Sequence, residues 1–88
     1  MKRVPIEDSF DLHSFRPADV VSAVEEYLLE ARRAGFREVR LIHGKGTGVQ
    51  RAAVRRLLAA HSEVAEFFDA PPARGGTGAT VVILKPPT

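Results

Sequence analysis

Asp11 and His13 stand two residues apart in the short stretch Ser9–His13, and a second histidine, His43, closes the stretch Phe36–His43. A carboxylate beside an imidazole can orient the ring and raise its pKa, which suits a general acid or base near neutral pH. Residues two apart on a strand project to the same side, so Asp11 and His13 share a face. Ligands of open parallel sheets gather beyond the C-terminal ends of the strands. If the two stretches are parallel strands joined by a helix, Asp11, His13 and His43 reach one rim. A lone histidine at a strand end is more often packed or solvated. The pairing with Asp11 and with His43 favours a functional cluster.

A glycine-rich loop, His43-Gly44-Lys45-Gly46-Thr47-Gly48, follows the second stretch directly. It opens a helix, and a helix N-terminus offers free N–H groups and the positive end of the dipole to an anion. Lys45 adds a mobile positive charge. Arg51 and Arg55 lie one turn apart on that helix and share a face, so the region is expected to form a phosphate-binding surface. Those charges could equally be a solvated helix face, and the loop alone could be a tight turn. Three alternating glycines exceed what a turn needs and favour close approach of phosphate to the backbone. The loop is not a Walker A motif, which needs Lys then Ser/Thr after the last glycine. Nor does its glycine spacing match a dinucleotide fingerprint.

Four strands and two helices are needed to hold these groups. Ser9–His13 reads as the first strand, with Phe10 and Leu12 facing opposite to Asp11 and His13. Pro17 suits a helix first turn. The helix runs to about Ala34, its core stripe formed by Val20, Val24, Leu28 and Ala31 and widened by Val21 and Tyr27. Gly35 is the expected C-cap. Phe36–His43 is a strand, Gly48–His61 a helix with Ala53, Val54, Leu57 and Leu58 inward, and Val64–Asp69 a strand. Ala79–Lys85, rich in β-branched residues, is the last strand. The loop before it, Arg74–Gly78, reads equally as a plain connection or as a substrate contact. The order βαβαββ predicts three parallel strands and an antiparallel fourth, with both helices on one face. The lateral order of the strands cannot be read from sequence.

Composition narrows the function classes. The chain has 88 residues, of which 44% are hydrophobic and 27% charged, and it carries a formal charge of +2. A single domain over residues 9–85, with a leader at 1–8 and a tail at 86–88, is expected. Such a chain buries roughly 60–65% of its unfolded surface, so it has one small core. With no cysteine there is no disulfide, thiol nucleophile or thiolate metal site. Three histidines and no cysteine argue against a structural zinc site. No metal ligand is assigned, and the lack of a carboxylate cluster argues against a two-metal nuclease. No apolar run exceeds four residues, and no apolar stretch follows the basic start, so a cytoplasmic protein without membrane contact is expected.

Three stretches taken in order carry a family resemblance. Phe10-Asp11-Leu12-His13, His43-Gly44-Lys45-Gly46-Thr47-Gly48 and Gly75-Gly76-Thr77-Gly78-Ala79-Thr80-Val81-Val82 resemble the signature stretches of the Smr (small MutS-related) family, and a stand-alone member is expected. The resemblance implies an α/β two-layer sandwich: a four-stranded mixed sheet with two helices on one face. This fold is similar to the C-terminal domain of translation initiation factor three. It implies nucleic-acid binding and endonuclease activity on DNA or RNA, in DNA repair and recombination or in RNA and ribosome quality control. Asp11 and His13 would be catalytic. His43, Gly44, Lys45, Gly46, Thr47 and Gly48 would bind nucleic acid, joined by Arg51 and Arg55. Phe10 stands where the family has Leu, and Ser14 where it has Gly. The Ser14 side chain is expected to narrow the approach of a phosphate backbone. The mismatch-protein ATPase of larger members has no counterpart here, so ATP is not expected.

The first expectation is therefore a phosphodiester-cleaving enzyme. His13 acts as general base or acid, with Asp11 orienting it or activating the attacking group. Lys45, the loop N–H groups and Arg51 stabilise the phosphate charge. On RNA the 2′-hydroxyl serves as nucleophile without a metal; on DNA water attacks, and a divalent cation such as Mg2+ is the candidate cofactor. The alternatives are a non-catalytic module on branched DNA, structured RNA or ribosomes, and a domain docking another anion. A monomer is compatible with all three.

Overall fold

The computed structural model describes residues 6–86; most of the leader and the last two residues of the tail lie outside them. Its elements are β1 (Ser9–Asp11), α1 (Pro17–Arg33), β2 (Glu38–Ile42), α2 (Val49–Ala60), β3 (Val64–Asp69) and β4 (Ala79–Leu84), with two 3-10 turns, Pro72–Arg74 and Gly76–Gly78, before β4. The chain is a two-layer α/β fold with a four-stranded mixed sheet.

The lateral order is β1-β2-β4-β3. β1 runs parallel to β2, with Phe10 opposite Leu41 and Asp11 opposite Ile42. β4 is antiparallel to both β2 and β3. The first three strands thus share a direction, as expected, but β4 inserts between β2 and β3. Placing the apolar β4 centrally buries both its faces, and five of its six residues are buried.

Helix α1 begins on Pro17, whose missing N–H costs nothing in a first turn. Gly35, at φ +93°, ends it. The Gly35 N–H donates to the Arg32 carbonyl, and the Phe36 N–H to the Ala31 carbonyl at 3.0 Å, closing a Schellman motif that turns Phe36 onto the core. Val20, Val24, Tyr27, Leu28 and Ala31 pack inward; Val21 is exposed rather than part of the stripe. α2 contributes Val54 and Leu58, with Leu57 partly covered. Between helices and sheet, Leu12, Val39, Leu41, Val82 and Leu84 complete the core. Phe10 takes the place the resemblance gives to Leu by stacking on Tyr27, ring centroids 4.7 Å apart. In β3 a register shift between Val64 and Glu66 adds one residue against β4. The inward residues become Val64 and Phe67 instead of an alternating set. A smaller cluster of Ala70, Ala79 and Val81, with Ile42 and Ile83, lies apart from the main core on the other parity of β4.

Candidate active site

Asp11 ends β1, and the chain turns at once. The Asp11 Oδ1 accepts the His13 backbone N–H at 3.1 Å, an Asx turn that fixes the short link. The same oxygen accepts the His13 ring N–H from Nδ1 at 2.5 Å. Because a carboxylate only accepts, Nδ1 carries the proton and Nε2 is left for another partner. Both side chains are open to solvent, 60% for His13 and 52% for Asp11. The hydrogen bonds from the His13 ring and backbone hold the Asp11 carboxyl below the ordinary carboxylate range.

His13 borders a cavity of about 520 Å3 whose other walls are Pro17, His43 and the continuous run Gly44–Arg51. The β2–α2 loop and the first turn of α2 thus form most of it. The N–H groups of Lys45, Gly46, Thr47 and Gly48 find no main-chain acceptor among the described residues. Gly48 takes φ +85°, a left-handed conformation costly for any residue with a Cβ, and so turns the chain into α2. Gly44 has φ +82°, and a Cβ built there would stand 3.3 Å from the His13 Cβ. Glycine at 44 therefore lets the loop lie against the back of His13. On the other side of the loop, the Gln50 amide donates to the Phe15 carbonyl at 2.6 Å and ties α2 to the segment after β1.

His43 is placed differently from the expectation. It borders the same cavity, but only 4% of it is exposed. Its Nδ1 lies 3.0 Å from the Gly44 carbonyl oxygen, and its Nε2 lies 2.9 Å from the Thr80 hydroxyl. A carbonyl only accepts, so Nδ1 donates, and in the neutral ring Nε2 accepts the Thr80 proton. Neither nitrogen is spare for a phosphate. His43 is thus an internal ring of the site wall, and the expected pair of available imidazoles reduces to His13 alone. Burial, above all, lowers the His43 pKa from 6.5.

That shift has a definite sign in stability. Above pH 6.5 the ring is neutral in both folded and unfolded chains and contributes nothing. As pH falls through this value the unfolded chain binds the proton first, so stability declines until the folded value is passed. Asp11 and Asp69 act in another window: their contribution is full above 3.8 and is lost as pH falls from there through their lowered folded values. Thermal melts between about pH 8 and pH 5 should show a Tm that falls as the unfolded ring takes up its proton. A flat Tm across that span would contradict the buried neutral ring.

The basic stripe is also divided. Arg51 borders the cavity, yet its NH2 donates to the Asp69 Oδ1 at 2.7 Å. The Arg55 NH1 donates to the same oxygen at 3.1 Å, and its guanidinium lies over the Phe67 ring. Arg55 does not line the cavity, which corrects its place in the expected binding surface: Asp69 and Phe67 hold it instead. The Arg51 hydrogen bond, foremost, keeps the Asp69 carboxyl below its ordinary range. Lys45 is the cavity cation with no ion-pair partner among the described residues. Ser14 is exposed, next to His13, and is not among the residues that line the cavity.

The sequence reading did not single out Thr80, Asp69 or Gln50. Thr80 carried a usable signal: it shares strand parity with Val82 and Leu84, and a hydroxyl on a core face requires a partner.

Residues 10–85 match the family model described as Smr domain. The chain belongs to the Smr domain family. It is 46% identical over 76 residues to Endonuclease MutS2 of Thermus thermophilus, an overlap that covers 86% of this chain and 10% of that protein. The chain therefore spans about a tenth of the length of the curated relatives it matches. Among solved structures, the Smr domain of Thermus thermophilus MutS2 superposes with a TM-score of 0.87 at 44% identity, covering 91% of this chain and all of that one. YdaL, a stand-alone small MutS-related protein from Escherichia coli, gives 0.85 at 30% identity, covering 92% and 66% respectively. These likenesses establish the α/β Smr fold for this chain.

Proposed function

We propose that this Smr domain is an endonuclease that cleaves phosphodiester bonds in DNA or RNA. The observation that carries the reading is one oriented imidazole, His13, facing the same cavity as Lys45 and the open N–H groups of the β2–α2 loop. The likeness to proteins named endonuclease MutS2 supports it.

In this mechanism Asp11 fixes the ring through Nδ1, so that Nε2 removes or returns a proton at the reacting oxygen. The loop N–H groups and Lys45 hold the phosphate and stabilise the charge that builds on it. On RNA the proton comes from the 2′-hydroxyl; on DNA it comes from an attacking water. No carboxylate lines the cavity, and among the described residues no group of three or more metal-ligating side chains occurs, so the proposed steps use the chain's own groups. A Mg2+ ion, if one is used on DNA, would be shared between the nearby Asp11 carboxylate and the substrate phosphate and would supply charge stabilisation there.

The test is incubation of the protein with end-labelled single-stranded, duplex and branched DNA and with RNA, each with and without Mg2+. Internal cuts support the reading. Binding without any cut supports the non-catalytic module.

Lys45→Ala separates phosphate contact from chemistry. A phosphate-contacting lysine should, when removed, weaken binding about equally on all sequences and lower the slope of log affinity against log salt by about 1. Titrations at several salt concentrations check this. An unchanged slope would place the phosphate elsewhere.

A further inference from the structure

We propose that Thr80 is a positioning residue for the cleavage site: its hydroxyl fixes the His43 ring, which holds the β2–α2 loop against His13. The inference rests on the endonuclease reading and gives a role to the third signature stretch, which supplies no group to the cavity lining.

That stretch forms the underside of the loop. The Gly78 carbonyl accepts the backbone N–H of His43 at 3.1 Å and of Gly44 at 2.9 Å. A Cβ on Gly78 would stand 3.1 Å from the Lys45 Cγ, so glycine there admits the lysine stem. Two residues on, Thr80 is fully buried and donates to the His43 Nε2. The ring then donates through Nδ1 to the Gly44 carbonyl. Gly44 in turn borders the His13 Cβ. A chain of contacts thus runs from the central strand β4 through His43 and Gly44 to the proposed base: two hydrogen bonds at the His43 ring, directed by the Gly44 carbonyl, which only accepts, and then a close approach of Gly44 to His13. Valine has nearly the shape of threonine and suits a strand. If Thr80 only filled space, Thr80→Val would serve as well.

The experiment compares the full chain with Thr80→Val and Thr80→Ser. The readouts are single-turnover cleavage and KM on a labelled oligonucleotide, far-ultraviolet dichroism, and ring 15N shifts of His43. Thr80→Val is expected to keep its secondary structure, to move the His43 ring shifts, and to lose on the order of 10- to 100-fold in cleavage rate with little change in KM. Thr80→Ser, which keeps the hydroxyl, is expected to restore the rate and the shifts. A folded Thr80→Val protein with wild-type rate overturns the proposal. Should that variant not fold, the wild-type ring spectrum decides: a proton on Nδ1 supports the proposal, and a proton on Nε2 overturns it. If the wild type cuts no substrate, the endonuclease reading fails by itself. The ring spectrum and the wild-type-to-valine ratio of oligonucleotide affinity then judge Thr80, and unchanged values of both overturn its role.

Discussion

His13→Ala should lower the rate of phosphodiester cleavage by about 100- to 10,000-fold while leaving the fold intact, the usual contribution of a positioned general acid or base. The ring is exposed and belongs to neither core cluster, so its loss creates no cavity. Asp11→Asn should fall within the same span for a different reason. The amide oxygen can still accept both the His13 backbone N–H and the ring N–H, which preserves the turn. It lacks the negative charge that stabilises the imidazolium formed when Nε2 takes up a proton. The ring would keep its place and lose most of its function as a base. Rates from labelled oligonucleotides, with matched thermal melts, check both variants. Wild-type cleavage by both would remove the dyad from the mechanism.

His43→Ala should instead give a protein that folds poorly. Truncation empties a buried ring volume and strands the Thr80 hydroxyl at a site with 0% exposure. The cavity and the lost hydrogen bond together should cost about 2–4 kcal/mol. A chain of this size holds a total of about 4–13 kcal/mol, so the variant sits near the edge of folding. The expected fall in Tm is roughly 10–20 °C, read by dichroism. A Tm within a degree or two of wild type would show that His43 is not the buried ring described above. The two histidines therefore differ in kind: removing His13 takes away the proposed base and spares the fold, whereas removing His43 costs stability along with the loop placement on which the proposed cleavage depends.

Most of this architecture was legible from residue pattern. The helical stripe Val20, Val24, Leu28 and Ala31 is buried as spaced, and Gly35 ends α1 in the conformation only glycine takes easily. Strand alternation put Asp11 and His13 opposite Phe10 and Leu12, and the structure exposes the first pair. The same alternation held the key to His43: it shares parity with Val39 and Leu41, both buried, and so faces the core. Its position at a strand end drew it to the rim in the sequence reading, while the pleat turned it inward. The pairing of Arg51 and Arg55 with Asp69 joins residues more than a dozen positions apart, and no local spacing announces it. The insertion of β4 between β2 and β3 is likewise a long-range choice, made by burial of an apolar strand rather than by any neighbouring turn.

That insertion bears on when a newly made chain completes the proposed site. Ribosomes deliver residues in order, at about 5–20 per second, and domains tend to fold as units. Until Ala79–Leu84 emerges, β2 and β3 lack the strand between them, and His43 lacks Thr80. A nascent polypeptide can carry Asp11, His13 and Lys45 yet have no wall to seat them. The proposed cleavage site should assemble abruptly, with the strand that completes the sheet.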